Sequence, residues 1–226
     1  MSLEKDGLDC MLKLVSKDPE GQRASDGFNS FTATLWAHLG TGNLSRNYYP
    51  GVSDDIAKRL PASILSVGAG SCVLEFHLSR KLPDASIVAV EPSMRMRDIA
   101  SRNIAGRKNI AVVCGDSEHV PNTQYEMIVS SRSVQYWNDI TGSLEYLKQR
   151  LASRGEIRIY QLPYFSAGDG TPSRLTEVPA ILIGSMLRLK HAVPRNELII
   201  HAGNAGLARK QACKTRDFEL ISLVRK

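Results

Sequence analysis

Ser63-Ile-Leu-Ser-Val-Gly-Ala-Gly-Ser-Cys-Val-Leu-Glu-Phe-His-Leu-Ser-Arg-Lys-Leu82 is the stretch that decides the fold. Its first five residues form a short apolar run of strand length. Residues 73–82 carry helical spacing, and Pro83-Asp84 closes them. Between the two lies Val67-Gly-Ala-Gly-Ser71. Two glycines allow a tight turn and let a backbone come close to a ligand. The helix N-terminus that follows favours negative charge.

Working outward, the same rhythm repeats. Residues 86–91 read as a second strand and 109–114 as a third, with a helix over 93–105 between them. Ser93 is the expected N-cap of that helix and Gly106 its stop. Residues 126–130 read as a fourth strand, 141–153 as a helix and 155–160 as a fifth strand. Continuous apolar strands alternating with helices imply a parallel sheet covered on both faces. The C-terminal end departs from this. A helix is expected over 194–205, then two strands, 207–215 and 218–224, paired antiparallel around Arg216-Asp217. The expected fold is α/β and doubly wound, a mostly parallel seven-stranded sheet with helices on both faces and antiparallel strands at the C-terminus. Residues 1–60 are expected to form an N-terminal helical cap, with helical stretches near 9–15 and 27–39. Residues 61–226 form the α/β domain. An insertion at about 163–193, with a helix over 173–190, is the expected lid.

Ligands of open parallel sheets bind outside the carboxyl ends of the strands. Four features fall there: Gly68-Ala-Gly70, Glu91, Gly115-Asp116 and Ser130-Ser-Arg-Ser-Val-Gln-Tyr-Trp137. A strand-end carboxylate such as Glu91 accepts hydrogen bonds from ribose hydroxyls. Taken alone, the glycine pair reads as a tight turn and Glu91 as a solvated acid. Together, at successive strand ends, they point to a nucleotide-like cofactor. A dinucleotide loop wants GxGxxG, and here Val73 stands where the third glycine belongs.

Gly68-Ala-Gly70, Glu91-Pro92-Ser93-Met94 and Gly115-Asp116 resemble the class I S-adenosylmethionine-dependent methyltransferases, over roughly residues 62–160 and 194–226. The resemblance implies S-adenosyl-L-methionine as cofactor and a Rossmann-like methyltransferase fold. It places Gly68, Ala69 and Gly70 along the cofactor's amino-acid moiety and Glu91 on the ribose hydroxyls. Ser93 would cap a helix, and Met94 would pack on the adenine face. Asp116 would accept from the adenine amino group, and Ser117 would supply a backbone contact. Ser131 and Arg132 would border the methionine end. Two positions depart from the pattern: Ser66 stands where the family often has an acid, and Cys72 replaces a glycine. Tyr48, Tyr49 and Arg46 are candidates for orienting that end, set against ordinary packing and surface roles.

For catalysis, Tyr136 and Trp137 are aromatic candidates for stabilising a sulfonium, weighed equally against core packing. His119, Tyr164 and His191 are the candidate bases, each more often structural or solvated than catalytic. The first reading is in-line methyl transfer to a small-molecule metabolite. A second keeps the cofactor but breaks its aminocarboxypropyl arm, as in azetidine-2-carboxylate formation, and releases methylthioadenosine. A third is a non-catalytic cofactor-binding module, and a fourth a nicotinamide oxidoreductase.

Composition narrows the setting. The chain has 226 residues, a net charge of +6 and 42% hydrophobic content. This suits one domain with a sizeable core. Lys and Arg are scattered among Asp and Glu, so the charge reads as solvated surface and no nucleic-acid partner is expected. Cys10, Cys72, Cys114 and Cys213 form no CxxC pair. They read as free buried thiols, with no metal site and a reducing cytoplasm. No secretory signal and no membrane span are read, and the expected assembly is a monomer or homodimer.

Overall fold

The structure, a computed structural model, describes residues 48–162, 193–215 and 217–226. The helical stretches expected near 9–15 and 27–39, the helix expected over 173–190, and Arg46, Tyr164 and His191 lie outside the described residues. So does the expected lid, apart from Val193.

The described elements are α1 (Tyr48–Ala57), β1 (Ser63–Val67), α2 (Val73–Lys81), β2 (Ser86–Val90), α3 (Met94–Asn103), β3 (Ile110–Val113), β4 (Tyr125–Ser131), α4 (Ile140–Gln149), β5 (Leu151–Gln161), α5 (Arg195–Asn204), β6 (Leu207–Lys214) and β7 (Glu219–Arg225). A turn of 3-10 helix, Val134–Tyr136, follows β4. The seven strands form one sheet in the order β3-β2-β1-β4-β5-β7-β6. Strands β1 to β5 pair in parallel, and β7 runs antiparallel between β5 and β6. Strand order reverses between β1 and β4, so the loops leaving them diverge and open a crevice.

Strand alternation divides the core in two. On one face Ile64, Ile87, Met127, Val129, Tyr160 and Leu220 pack with Val52 and Ile56 of α1 and Leu74 and Leu78 of α2. On the other, Leu65, Val67, Ile128, Ile159 and Ile221 pack with Leu144 and Leu147 of α4 and Leu198 and Ala202 of α5. Adjacent residues of one strand thus serve opposite layers, which is what a doubly wound sheet requires.

Helix α1 was hidden by Pro50 and Gly51. Proline is tolerated in a helix's first turn, where its missing N–H has no partner to lose. The helix packs against α2 and is tied to β5 by Asp55. That carboxylate meets the Arg158 guanidinium at 2.6 Å and accepts from the Tyr160 hydroxyl at 2.8 Å. Strand β5 is longer than expected, and α4 shorter. The helix expected to reach 153 stops at Gln149, with Arg150 as its C-cap. Leu151, fully buried, instead joins the ladder opposite Tyr125. A register irregularity after Tyr125 absorbs the extra residues. Ser93 caps α3 as expected, accepting from the Met96 N–H. The cysteines differ from the expectation of burial: Cys72 is buried, but Cys114 is exposed and Cys213 intermediate, all three as free thiols. No helix among the described residues is long and apolar enough to cross a membrane.

Candidate functional site

The crevice at the reversal point is a cavity lined by the ends of β1, β2 and β4 and the loops after them. Gly68, Ala69, Gly70, Glu91, Asp116, Ser117 and Ser131 all line it, as do Tyr136 and Trp137.

Its floor is the loop after β1. Gly68 and Ala69 donate to the Val90 carbonyl at 2.9 and 3.0 Å, which fastens the loop to β2. Gly68 has φ +70°. A Cβ there would lie 2.4 Å from the Ser133 Cβ. Ser133 in turn donates to the Val67 carbonyl at 2.6 Å and pairs with Ser130 at 2.8 Å. The glycine is therefore required twice, by its backbone angle and by the close approach of the β4 loop. Gly70 has φ +58°, and a Cβ on it would meet the Met96 Cε at 3.3 Å.

Glu91, at the end of β2, is buried. Its Oε2 accepts from the Gly70 N–H and its Oε1 from the Ser93 N–H, each at 2.9 Å. Arg97 donates to the carbonyls of Glu91 and Pro92. Burial pushes the Glu91 carboxyl up, partly offset by the two backbone N–H groups and by Arg97. Each oxygen keeps acceptor capacity for a ligand hydroxyl.

Asp116 follows β3, past Gly115. Burial raises its carboxyl, but the Glu118 N–H and His119 outweigh that and hold it below the usual range. Ser117 pairs with Ser143 of α4 at 2.8 Å. His119 does not line the cavity: its side chain is largely exposed and bonds Asp116 at 2.7 Å. Met94 is 72% exposed and also stands outside, whereas Met96 lines the wall. Helix α3 begins at Met94, so its inward face takes Met96 and Ala100.

Ser66, Glu75, Tyr49, Arg132 and Gln135 form a second group of lining residues, linked by the Ser66–Glu75 bond and by the charges of Glu75 and Arg132 on Tyr49. Tyr48 is buried and bonds Ser131 at 3.1 Å, while Tyr49 faces the cavity. Arg132, at φ +57°, donates its N–H to the Tyr160 carbonyl at 2.9 Å. Its charge acts on Tyr48, Tyr49 and Tyr136. Burial raises Tyr136, keeping its hydroxyl neutral. The expectations passed over Glu75, Gln135 and Met96. The signal for Glu75 was an acid beside the apolar pair Leu74 and Leu78, on the helix face turned inward.

Among the described residues, no group of three or more His, Cys, Asp and Glu side chains is placed to hold a metal ion. The geometry suits an adenosine-bearing ligand instead. Its elements are a glycine cradle that a Cβ would fill, an oriented buried carboxylate and a second acid at the next strand end.

A family model described as a methyltransferase domain matches residues 64–155. A malonyl-[acyl-carrier protein] O-methyltransferase of Priestia megaterium is 29% identical over 136 residues, 60% of this chain and 44% of that protein. The chain thus matches less than half the length of that relative. An O-methyltransferase of neocarzinostatin biosynthesis was solved with S-adenosyl-L-homocysteine and 1,4-dihydroxy-2-naphthoic acid. It is similar with a TM-score of 0.67 at 20% identity, covering 88% of this chain and 60% of that one. Human N-acetylserotonin methyltransferase, solved with its cofactor, gives a TM-score of 0.64 at 13% identity, covering 98% and 66%. At these identities the solved structures speak for the fold alone.

Proposed function

We propose, from the premise that the chain belongs to the class I S-adenosylmethionine-dependent methyltransferases through its domain at 64–155, that it transfers a methyl group to an oxygen of a small organic acceptor. The observation that carries the cofactor assignment is Glu91, held between the Gly70 and Ser93 N–H groups beside the Gly68 cradle. Gly68, Ala69 and Gly70 would receive the cofactor's backbone-facing edge, Glu91 the ribose hydroxyls and Asp116 the adenine amino group. Met96, rather than Met94, would pack on the adenine.

Bound S-adenosylmethionine would supply an electrophilic methyl on a sulfonium. The chain's own part is alignment and exclusion of water. Tyr136 and Trp137, which line the cavity, would offer aromatic faces to the positive sulfur. Ser131 and Arg132, which line the cavity, would border the methionine end. The oxygen acceptor draws support from the names of the related proteins, one of which acts on a carrier-linked malonyl group. An ionised carboxylate oxygen has no proton to lose and demands no basic residue, whereas a hydroxyl acceptor would have to give up its proton to a base or to solvent as the methyl arrives.

The test is calorimetry with S-adenosylhomocysteine, followed by turnover with small dicarboxylic acids, malonyl thioesters and phenols. Single-site binding and methylated product with S-adenosylhomocysteine release are expected. Release of methylthioadenosine alone would overturn methyl transfer.

A further inference from the structure

The cavity contains a second buried carboxylate whose purpose the fold does not explain. Glu75 lies in the first turn of α2 and is 1% exposed. Its Oε1 accepts from the Ser66 hydroxyl at 2.5 Å. Its Oε2 is buried with no hydrogen-bond partner among the described residues, although the Cys72 thiol also bonds the carboxylate. Both Glu75 and Ser66 line the cavity. A buried carboxylate oxygen left unpaired is costly, so a donor or cation should meet it from the cavity side.

The rest of that end has complementary chemistry. Arg132 lines the same end, and its charge and that of Glu75 both act on Tyr49. An acid and a guanidinium on one wall match a zwitterion, with the ammonium toward the acid. With the ribose on Glu91, at the Gly70 end of the loop, an amino-acid arm would extend toward Ser66 and Glu75 at the Gly68 end. Accepting the reading above, we propose that Glu75, braced by Ser66, binds the ammonium of the cofactor's amino-acid arm. The acid missing from position 66 is thereby supplied from the helix, and the serine holds it in place.

The probe pair is S-adenosylhomocysteine, which has the arm, and 5′-methylthioadenosine, which lacks it. Calorimetry on Glu75→Gln should show a roughly 10- to 100-fold loss for S-adenosylhomocysteine, the range expected for a hydrogen bond between charged groups. Affinity for methylthioadenosine should be unchanged. Unchanged affinity for both ligands, or equal loss of both, would overturn the proposal while leaving the cofactor assignment standing. Failure of the wild-type protein to bind either ligand would defeat the cofactor assignment itself.

Should Glu75→Gln not fold, the wild-type protein answers through pH. Burial, with the Glu91 charge adding to it against the Ser66 bond, pushes the Glu75 carboxyl up to about 7. The other groups near it are Cys72, Glu91, Tyr49 and Arg132. Burial drives the Cys72 thiol and the Tyr49 hydroxyl upward, away from this range. Titration of Glu91 would affect both ligands alike. Between about pH 7.5 and 5.5, the ratio of the two affinities should therefore fall against S-adenosylhomocysteine as Glu75 takes a proton. A flat ratio would overturn the proposal.

Discussion

Glu91 and Glu75 are both buried carboxylates of one cavity, 7% and 1% exposed. They are held in opposite ways. Glu91 has a backbone N–H on each oxygen, from Gly70 and Ser93. Glu75 has one oxygen bonded to Ser66 and the other without a partner among the described residues, with the Cys72 thiol also bonded to the carboxylate. The end proposed for adenosine is organised by the chain itself. The end proposed for the arm is only half satisfied, and a bound ammonium would complete it. Preorganisation would lower the cost of binding at the first end, while on the proposal above the second would turn an unmet electrostatic demand into selectivity for a cation.

Four experiments press on that contrast. The largest effect is expected from Glu91→Ala. It removes the anchor of the Gly70 loop and the ribose acceptor together. Affinity for S-adenosylhomocysteine and methylthioadenosine should fall by about 3 kcal/mol, on the order of 100-fold, in calorimetry. Retained methylthioadenosine binding would break the contrast, since the two acids would then serve the same end. Next comes Gly68→Ala, where a positive φ and the Ser133 contact act together. Its denaturation midpoint should drop by the equivalent of about 2 kcal/mol. Gly70→Ala, facing only the end of the Met96 side chain, should cost less stability.

The third is a pH slope in the free protein. The folded Glu75 carboxyl titrates near 7, above its ordinary 4.5. Its contribution to stability is therefore complete below the ordinary value and is lost as pH rises through about 7. The difference in unfolding free energy between wild type and Glu75→Gln should shift by on the order of 2 kcal/mol over that window. A pH-independent difference would show that Glu75 is no more strained than Glu91. The smallest effect separates the methionines. Met94→Ala should leave ligand affinity unaltered, whereas Met96→Ala should weaken it by about threefold through lost contact area. Equal effects would mean that the α3 register is read wrongly.

The adenosine end was legible because its signals are punctual. Gly68, Gly70, Glu91 and Asp116 stand at strand ends, where a continuous apolar run stops and a residue of different chemistry follows. The arm end was not, because its acid lies one turn into a helix. There Glu75 reads as an ordinary first-turn carboxylate favoured by the helix dipole. Only the inward orientation of α2, set by Leu74 and Leu78 against β1 and β2, turns it into the cavity. Met94 and Met96 show the same limit at finer scale, since both fit the start of a helix and its exact rotation selects one. The parallel strands and antiparallel end followed from apolar runs and turn residues. Helix α1 did not, because Tyr-Tyr-Pro-Gly reads as a breaker until packing against α2 and the Asp55–Arg158 pair override local preference.

Trp137 stands in the cavity wall, 9% exposed, and the chain has only one other tryptophan, Trp36. An indole so placed is an optical gauge built into the binding site. With Trp36→Phe, emission would come from that wall alone. Occupancy would then be visible as a change in intensity or wavelength, without a label and without turnover.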